Sequence, residues 1–257
     1  MYTIIYMSPT GNTKHLAYQL GELLQISSAN IQAMEFLNNE ELEKKEHLIL
    51  MYSIHGFNPP RTVNRFVKNL PEGLYDSVSL LSVGCNDMWL NDAVSSGLKN
   101  KLIKKGYRIA IDEVIAMPLS FVMDFPEDVK NATIEKAETL LAEISNRIRN
   151  NEVSNRNVKL KSKAITLIGK LEDPAARLFG LELHAKKSCI SCGICWNNCP
   201  ENNIKQSKKD KPKFGFSCMM CMRCINECPE NAITPYLSKF LTIKGGYHLF
   251  SEDKANK

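Results

Sequence analysis

The sequence predicts an α/β domain with a doubly wound, five-stranded parallel sheet, followed by a small α+β domain. Two observations predict this fold class. Residues 1–150 alternate short apolar strands with amphipathic helices, which is typical of a parallel sheet covered by helices on both faces. Residues 189–229 contain one cysteine pattern stated twice, and eight of the nine cysteines of the chain lie in it. We therefore expect two domains with different chemistry.

The size and composition are those of an ordinary globular protein. The chain has 257 residues, of which 44% are hydrophobic and 24% are charged, enough for two domains. The first residues lack the basic leader of a signal peptide, and no apolar run approaches the ~18 residues that span a bilayer. We expect a cytoplasmic protein that does not enter a membrane. Because cytosolic cysteines stay reduced, clustered cysteines favour metal binding over disulfides.

The strands and helices of the first 150 residues follow from hydrophobic patterns. Residues 2–7, YTIIYM, are β-branched and aromatic, which predicts a buried strand. The other strands are predicted at 31–35, 47–53, 77–83 and 108–117. Helices are predicted after residue 13, where apolar residues recur with helical spacing, and at 61–70, 91–105 and 126–149. Ligands of such sheets bind beyond the carboxyl ends of the strands.

The loop after the first strand has the composition of a phosphate site. It reads S-P-T-G-N-T and joins a strand to a helix, so that loop amides and the helix N-terminus point at one place. Glycine permits close approach of the backbone, and the hydroxyls add donors. The loop lacks the lysine of a nucleoside-triphosphate loop, so a monophosphate is favoured. The candidate residues are Ser8, Thr10, Gly11, Asn12 and Thr13; the alternative is a capped helix start without a ligand, with Thr10 or Asn12 as the cap.

Two further loops follow strands at the same edge of the predicted sheet. Each has a glycine, an amide side chain and a large aromatic, which together can stack on a flat ring and bond its edges. The candidate residues are His55, Gly56, Phe57 and Asn58 in one loop, and Gly84, Cys85, Asn86, Asp87 and Trp89 in the other. The alternative is that Phe57 and Trp89 only cover the end of the sheet. Cys85 is interpreted as a small loop residue, with a reactive thiol as the minority alternative.

These loops make the first 150 residues resemble flavodoxin. The resemblance lies in the S-P-T-G-N-T loop and in the loops after the third and fourth strands. It implies FMN as cofactor, the strand order 2-1-3-4-5, residues 8–13 as the phosphate cradle, and residues 54–59 and 84–89 as walls of the isoalloxazine ring. The sequence departs from the family in its weaker acidity and in lacking the usual tyrosine of the second ring loop, where Trp89 stands.

The cysteine repeat predicts two [4Fe–4S] clusters. Both runs read C-x2-C-x2-C-x3-C-P, and both continue as P-E-N, which implies a pseudo-twofold domain. In the two-cluster arrangement the fourth cysteine of each run ligates the other cluster. The predicted ligand sets are Cys189, Cys192, Cys195 and Cys228, and Cys218, Cys221, Cys224 and Cys199. Zinc knuckles use paired cysteines instead of triplets with a distant fourth. The stretch resembles the bacterial two-cluster ferredoxins at every ligand position.

The predicted domains are a flavodoxin-like domain at 1–150, a connector at 151–182, a ferredoxin domain at 183–236 and a tail at 237–257. Residues 1–150 carry 15 basic and 18 acidic residues, whereas residues 151–257 carry 18 and 10. We interpret the basic excess as a solvated surface and expect no nucleic-acid partner, since thiolates and clusters add negative charge. The lysines at 205, 208, 209, 211 and 213 are either solvated or a docking surface for an acidic redox partner.

Side chains between the cysteines have simple interpretations. Met219, Met220, Met222 and Trp196 are expected to shield the clusters from water and to influence their potential. The five histidines show no ligand spacing, and only His55 lies in a candidate site loop.

Three functions remain open on the sequence. The first is an electron carrier that passes low-potential electrons between the clusters, FMN and cytosolic redox enzymes, as in the flavodoxin-domain ferredoxins of anaerobic bacteria that the chain resembles. The second is an FMN-dependent reductase of a small molecule, fed by the clusters, with His55, Asn58 and Asp87 as its polar groups. The third is a cluster-only ferredoxin whose first domain is vestigial. No catalytic constellation and no nicotinamide fingerprint is recognised, so a carrier is favoured over an enzyme.

Overall fold

The computed structural model describes residues 2–37, 42–85, 89–154, 156, 158–208 and 210–243. The chain forms two compact units: the first comprises Met1–Ser8, Asn12–Pro118 and Pro126–Lys170, and the second comprises Pro9–Gly11, Leu119–Phe125 and Leu171–Lys257. Within the described ranges, no helix is both long and apolar enough to cross a membrane. The two units meet at Lys170 within the predicted connector, and the bounds of the four predicted segments stay a prediction.

The first unit is built on a five-stranded sheet in which every neighbouring pair of strands is parallel. Its strands are β1 (Tyr2–Met7), β2 (Ile31–Ala33), β3 (Lys45–Ser53), β4 (Tyr75–Gly84) and β5 (Arg108–Ala116). They lie in the order β2-β1-β3-β4-β5. This is the strand order of flavodoxin-like folds, so the predicted fold class of this unit is confirmed.

The central strands β1 and β3 are buried on both faces. Ile4 and Ile5 of β1 and the run from Leu48 to Tyr52 of β3 are fully buried. A parallel sheet covered by helices on both sides requires such continuous apolar runs. The sequence predicts these strands well because a run of consecutive apolar residues is visible within each short segment.

Among the described residues of the first unit, five segments form α-helices. They are α1 (Asn12–Leu23), α2 (Arg61–Asn69), α3 (Ser96–Lys104), α4 (Glu127–Arg149) and α5 (Leu160–Gly169). Helix α3 begins five residues later than predicted from 91–105, because Trp89–Asn91 forms a 3₁₀ turn that continues through further turns to Ser95. Asn and Asp at this point favour turns over the first turn of an α-helix.

The segment that follows α4 is attached to the edge of the sheet. The N–H of Ser154 donates to the carbonyl of Ala110 at 2.9 Å, and the N–H of Asp112 donates to the carbonyl of Ser154 at 3.2 Å. Asp112 is fully buried and forms ion pairs with Lys99 at 2.7 Å and with Arg156 at 3.1 Å. Because the Arg156 guanidinium compensates a buried charge, it anchors the chain that leads into α5.

The second unit is small and contains short elements. They are α6 (Glu172–Glu182), β6 (Leu183–Ala185), α7 (Ile194–Asn197), β7 (Ile204–Gln206), β8 (Pro212–Phe214), α8 (Arg223–Asn226) and β9 (Ile233–Pro235). Strands β6 and β9 form one antiparallel pair, and β7 and β8 form another. Its apolar core contains Phe179, Leu183, Met222, Ile225 and Ile233, and four of the repeat cysteines pack against this cluster. The predicted α+β class is confirmed.

Candidate cofactor sites

The two cysteine repeats adopt the same backbone conformation. Three pairs of corresponding residues have positive φ: Ser191 and Met220 at 61° and 54°, Gly193 and Met222 at 88° and 61°, and Asn202 and Asn231 at 50° and 45°. A left-handed conformation costs a non-glycine residue ~1 kcal/mol or more. Its recurrence at matching positions indicates that the cysteine loop itself demands this path, as expected of a loop that wraps a cofactor.

Each predicted ligand set lines one cavity. A cavity of about 340 Å³ is lined by Cys189, Cys192, Cys195 and Cys228. A second cavity of about 420 Å³ is lined by Cys199, Cys218, Cys221 and Cys224. Each cavity therefore combines three cysteines of one repeat with the fourth cysteine of the other. The structure brings together the two predicted sets, and their role as ligands remains a prediction.

Backbone amides point at several of these sulfurs. The N–H of Asn203 donates to Cys199 Sγ at 3.3 Å, and the N–H of Ala232 donates to Cys228 Sγ at 3.2 Å. These two bonds occupy equivalent places in the repeat. Hydrogen bonds to sulfur stabilise the negative charge of a ligated cluster and tune its potential.

Burial disfavours the thiolate form of several cysteines. Burial, followed by the nearby Cys192, raises the pKa of Cys195 to about 11. Burial raises the pKa of Cys221 to about 12, although the guanidinium of Arg223 acts in the opposite direction. Because the thiolate is the ligand form of cysteine, a bound metal would offset this cost. Arg223 itself is buried and donates to the carbonyl of Asn198 at 3.1 Å, a contact that no sequence motif indicates.

The donor sets and the cavity walls fit iron–sulfur clusters. Four cysteines per cavity match the ligand number of a [4Fe–4S] cluster. The walls are largely apolar, with Ile190, Ile194 and Ile233 in the first cavity and Met219, Met222 and Ile225 in the second. In the part of the chain that the structure describes, no three His, Cys, Asp or Glu side chains are grouped so that they could hold a single metal ion.

The loop between β1 and α1 has the geometry expected of an anion site. Gly11 adopts φ +99°, which lets the chain turn into the helix. Ser8 Oγ accepts the N–H of Lys14 at 2.9 Å and so caps the start of α1. The alternative without a ligand expected this cap from Thr10 or Asn12. Asn12 Nδ2 instead donates to the carbonyl of Pro118 at 2.8 Å, after the end of β5. The loop precedes the N-terminus of the twelve-residue helix α1, and a phosphate-binding role for Ser8, Thr10 and Thr13 remains a prediction.

The first ring loop is a tight turn. His55 and Asn58 exchange backbone hydrogen bonds of 2.9 and 2.8 Å. Between them, Gly56 and Phe57 have φ of 50° and 60°, the signs of a type I′ turn. Phe57 is thus an aromatic residue in a conformation that favours glycine or asparagine, at the edge of the sheet where a flat ring would lie.

Helix α5 contacts both ring loops, which the sequence analysis did not predict. Asn58 Nδ2 donates to the carbonyls of Gly56 at 2.7 Å and of Thr166 at 2.9 Å, so both of its amide hydrogens are used within the protein. Ser162 is fully buried and its hydroxyl donates to the carbonyl of Trp89 at 2.7 Å. The ammonium of Lys161 lies 4.4 Å from the centre of the Trp89 ring. The small residues Ser162 and Gly169 permit this close packing.

The second ring loop is described in part. Gly84 ends β4, and its carbonyl accepts the N–H of Met117 at 2.7 Å. A Cβ on Gly84 would lie 2.9 Å from the side chain of Ile54, so the two ring loops approach each other closely here. Cys85 is exposed. Asn86 and Asp87 lie outside the described residues, as do Lys209 and most of the predicted tail.

The fold and the cysteine cavities define a class of protein: a flavodoxin-like domain joined to a ferredoxin-type iron–sulfur domain. Residues 188–233 match the family model of the 4Fe-4S dicluster domain. This match supports an iron–sulfur redox role in electron transfer.

Comparison with solved structures finds proteins similar to the first part of the chain. One is a flavodoxin from the domain Archaea, at 14% identity and TM-score 0.38, covering 58% of this chain and 98% of that one. Another is an FMN-bound flavodoxin from Fusobacterium nucleatum, at 17% identity and TM-score 0.38, covering 56% and 96%. A third is an NADH:FMN oxidoreductase, at 14% identity and TM-score 0.41, covering 63% and 92%. No protein of curated function matches the sequence.

Proposed function

We propose that this protein is an electron carrier with two [4Fe–4S] clusters and one FMN, which passes low-potential electrons to and from redox enzymes in the cytoplasm. The observation that carries the proposal is the pair of cavities, each lined by four cysteines drawn from both repeats. Bound clusters would supply one-electron chemistry, and bound FMN would supply one- or two-electron chemistry.

The cluster ligands in this proposal are the two predicted sets. The first cluster takes Cys189, Cys192, Cys195 and Cys228, and the second takes Cys218, Cys221, Cys224 and Cys199. The matching N–H···S bonds at Cys199 and Cys228 support the crossed arrangement. The buried apolar side chains that line the second cavity would limit the access of water, which influences the potential of a cluster bound there.

The FMN phosphate is proposed to bind the loop from Ser8 to Thr13, and the ring to lie against Phe57 and Trp89. Gly11 with its positive φ and the N-terminus of α1 support the phosphate end. At the ring end, Asn58 has both amide hydrogens engaged by protein carbonyls. Helix α5 therefore acts as a wall that holds the ring loops in place, and Asn58 orients its turn instead of bonding a substrate.

This use of Asn58 favours a carrier over a reductase of a small molecule. A reductase needs free polar groups beside the ring that bind and orient a substrate. Of the three groups proposed for that task, Asn58 donates to Gly56 and Thr166, and His55 Nε2 lies 3.2 Å from Ser53 Oγ. Electron transfer needs only an accessible edge of the cofactor.

Anaerobic purification followed by iron, sulfide and flavin quantification tests the proposal. We expect about eight iron, about eight sulfide and about one FMN per chain. A Cys85→Ser variant should give the same iron and sulfide values, because Cys85 belongs to neither cavity. Full iron without FMN after reconstitution would support the cluster-only ferredoxin. Steady reduction of a small acceptor without a protein partner would support the reductase.

A further inference from the structure

The hairpin of β7 and β8 presents two lysines to solvent at directly opposed positions. Lys205 pairs with Lys213 in the register of the two strands, and both are exposed. The neighbouring pair, Ile204 and Phe214, lies on the other face, where Ile204 is buried. Like charges directly opposite each other destabilise an antiparallel pair. The hairpin therefore carries a charge arrangement that does not serve its own stability.

The same hairpin is tied to the cavity lined by Cys189, Cys192, Cys195 and Cys228. Pro212, the first residue of β8, lines that cavity. The ammonium of Lys211 donates to the carbonyl of Cys189. Ile204, the first residue of β7, lines the other cavity, so the hairpin borders both cavities and the exposure of their walls distinguishes them.

Of the two cavities, the first, lined by Cys189, Cys192, Cys195 and Cys228, has an exposed wall. Cys192 is exposed, and Ile190 beside it is 61% exposed. The second cavity is walled by Phe179, Leu183, Met219, Met222 and Ile225, all of them buried. Electron transfer rates fall steeply with distance, so a partner protein is served best through the cavity with the exposed wall.

The charge around this wall is mainly positive. Besides the hairpin pair, the exposed lysines are Lys186, Lys187 and Lys208. The exposed acids between residues 186 and 230 are Asp210, whose carboxylate accepts from Gln206 at 2.9 Å, Glu227, which lies 3.7 Å from Arg223, and Glu230, which lines the cavity. Five exposed lysines outweigh these three carboxylates, so an acidic surface is attracted here.

We propose that Lys205, Lys213, Lys186, Lys187 and Lys208 form the docking surface for an acidic one-electron redox protein, which exchanges electrons through the cluster site of Cys189, Cys192, Cys195 and Cys228. The inference rests on the proposed function for that cluster, and it adds the site of electron exchange and the chemistry of the partner. One electron passes between this site and the partner's redox centre, so that one is oxidised and the other reduced. No bond forms or breaks.

Binding of an acidic polymer tests the surface without relying on electron transfer. Fluorescein-labelled poly-L-glutamate is titrated with the cluster-loaded full chain, and the dissociation constant is measured by anisotropy. At low salt we expect binding that weakens strongly at about 500 mM salt, where exposed charges are screened. The double variant Lys205→Glu/Lys213→Glu should bind about tenfold or more weakly.

A matched control separates the surface from net charge. Lys104→Glu/Lys136→Glu changes the net charge equally, at exposed positions on α3 and α4 of the first unit, and should retain the affinity of the natural chain within about threefold. The single variant Lys205→Glu places opposite charges across the hairpin, so it should fold at least as well while binding more weakly. Equal weakening by both double variants would overturn the proposal.

Small inorganic oxidants test whether electrons are exchanged through the cluster site of Cys189, Cys192, Cys195 and Cys228. Each protein is reduced with dithionite, and its rates of oxidation by anionic ferricyanide and by cationic hexaammineruthenium(III) are measured. The ratio of the first rate to the second should be higher for the natural chain than for the hairpin double variant. The same ratio in both proteins would overturn the assignment of electron exchange to this cluster site. Iron and FMN contents should be equal in all variants, so a failure of the surface is distinguished from a failure of the proposed function, which would show as missing cofactors in the natural chain.

Discussion

Gly169 of α5 lies directly against the carbonyl oxygen of Gly56: a Cβ built on Gly169 would overlap that oxygen and lie 2.8 Å from the side-chain amide of Asn58. This close approach joins the helix to the turn between His55 and Asn58. The turn is one of the two loops proposed to hold the flavin ring, so the shape of the ring site depends on a helix distant in sequence.

The substitution Gly169→Ala should push α5 away from the turn. We expect a loss of about 1–3 kcal/mol in stability from overpacking, and FMN binding weakened about tenfold, since 1.4 kcal/mol is a factor of ten. Flavin fluorescence quenching measures the affinity. The matched control is Gly97→Ala in α3, where a Cβ meets nothing within 4 Å; it should leave FMN affinity unchanged. Equal affinities in the two variants would contradict the role of α5.

Phe57 offers a test of ring stacking that spares the backbone. Its φ is 60°, a value that asparagine adopts more readily than phenylalanine. The variant Phe57→Asn should therefore keep the turn and the stability of the fold while removing the aromatic face. We expect FMN affinity to fall about tenfold, as suits the loss of ~1 kcal/mol or more of aromatic contact. Retained affinity would show that Phe57 only covers the sheet.

The crossed ligand sets predict a specific pattern of double variants. Cys189 and Cys228 line the same cavity, whereas Cys199 lines the other. Cys228→Ser should lower the iron content by about half, and Cys189→Ser/Cys228→Ser should lower it no further. Cys189→Ser/Cys199→Ser should remove nearly all iron. Iron analysis and electron paramagnetic resonance of the reduced protein distinguish the patterns, and the reverse result would show that each repeat holds its own cluster.

His47 should make the stability of the chain depend on pH. The buried ring contacts Ser77 Oγ at 2.6 Å and Ser79 Oγ at 2.9 Å. Burial, followed by the charge of Arg108, lowers its pKa from 6.5 to about 4. Between these values the unfolded chain binds more protons than the folded chain, so stability is full above pH 6.5 and falls as the pH drops through 4.

The full loss from His47 is about 3 kcal/mol, since one pKa unit corresponds to 1.36 kcal/mol. Urea unfolding followed by circular dichroism between pH 7 and pH 4 measures it. His47→Gln keeps a polar side chain that cannot titrate, and its stability should vary less over this range. If both proteins lose stability in parallel, carboxylates and not His47 govern the acid response.

Local patterns explain why much of the fold could be predicted. Consecutive apolar residues show that strands β1 and β3 are buried. The spacing of the candidate ligands can likewise be read directly from each cysteine repeat. The start of α3 was placed too early, because the turn from Trp89 to Ser95 competes with helix over residues that can adopt either. The outer part of the second ring loop, Asn86 and Asp87, lies beyond the described residues and stays a prediction.

The class of the two domains, the order of their elements and the residue types that could hold phosphate and iron follow from the amino-acid sequence. These properties depend on periodicity and spacing along the chain. The packing of α5 against Asn58 and the pairing of Lys205 with Lys213 across the hairpin are visible only in the folded structure. Such contacts join residues far apart in the chain, and no local pattern encodes them, because they arise when separate elements pack.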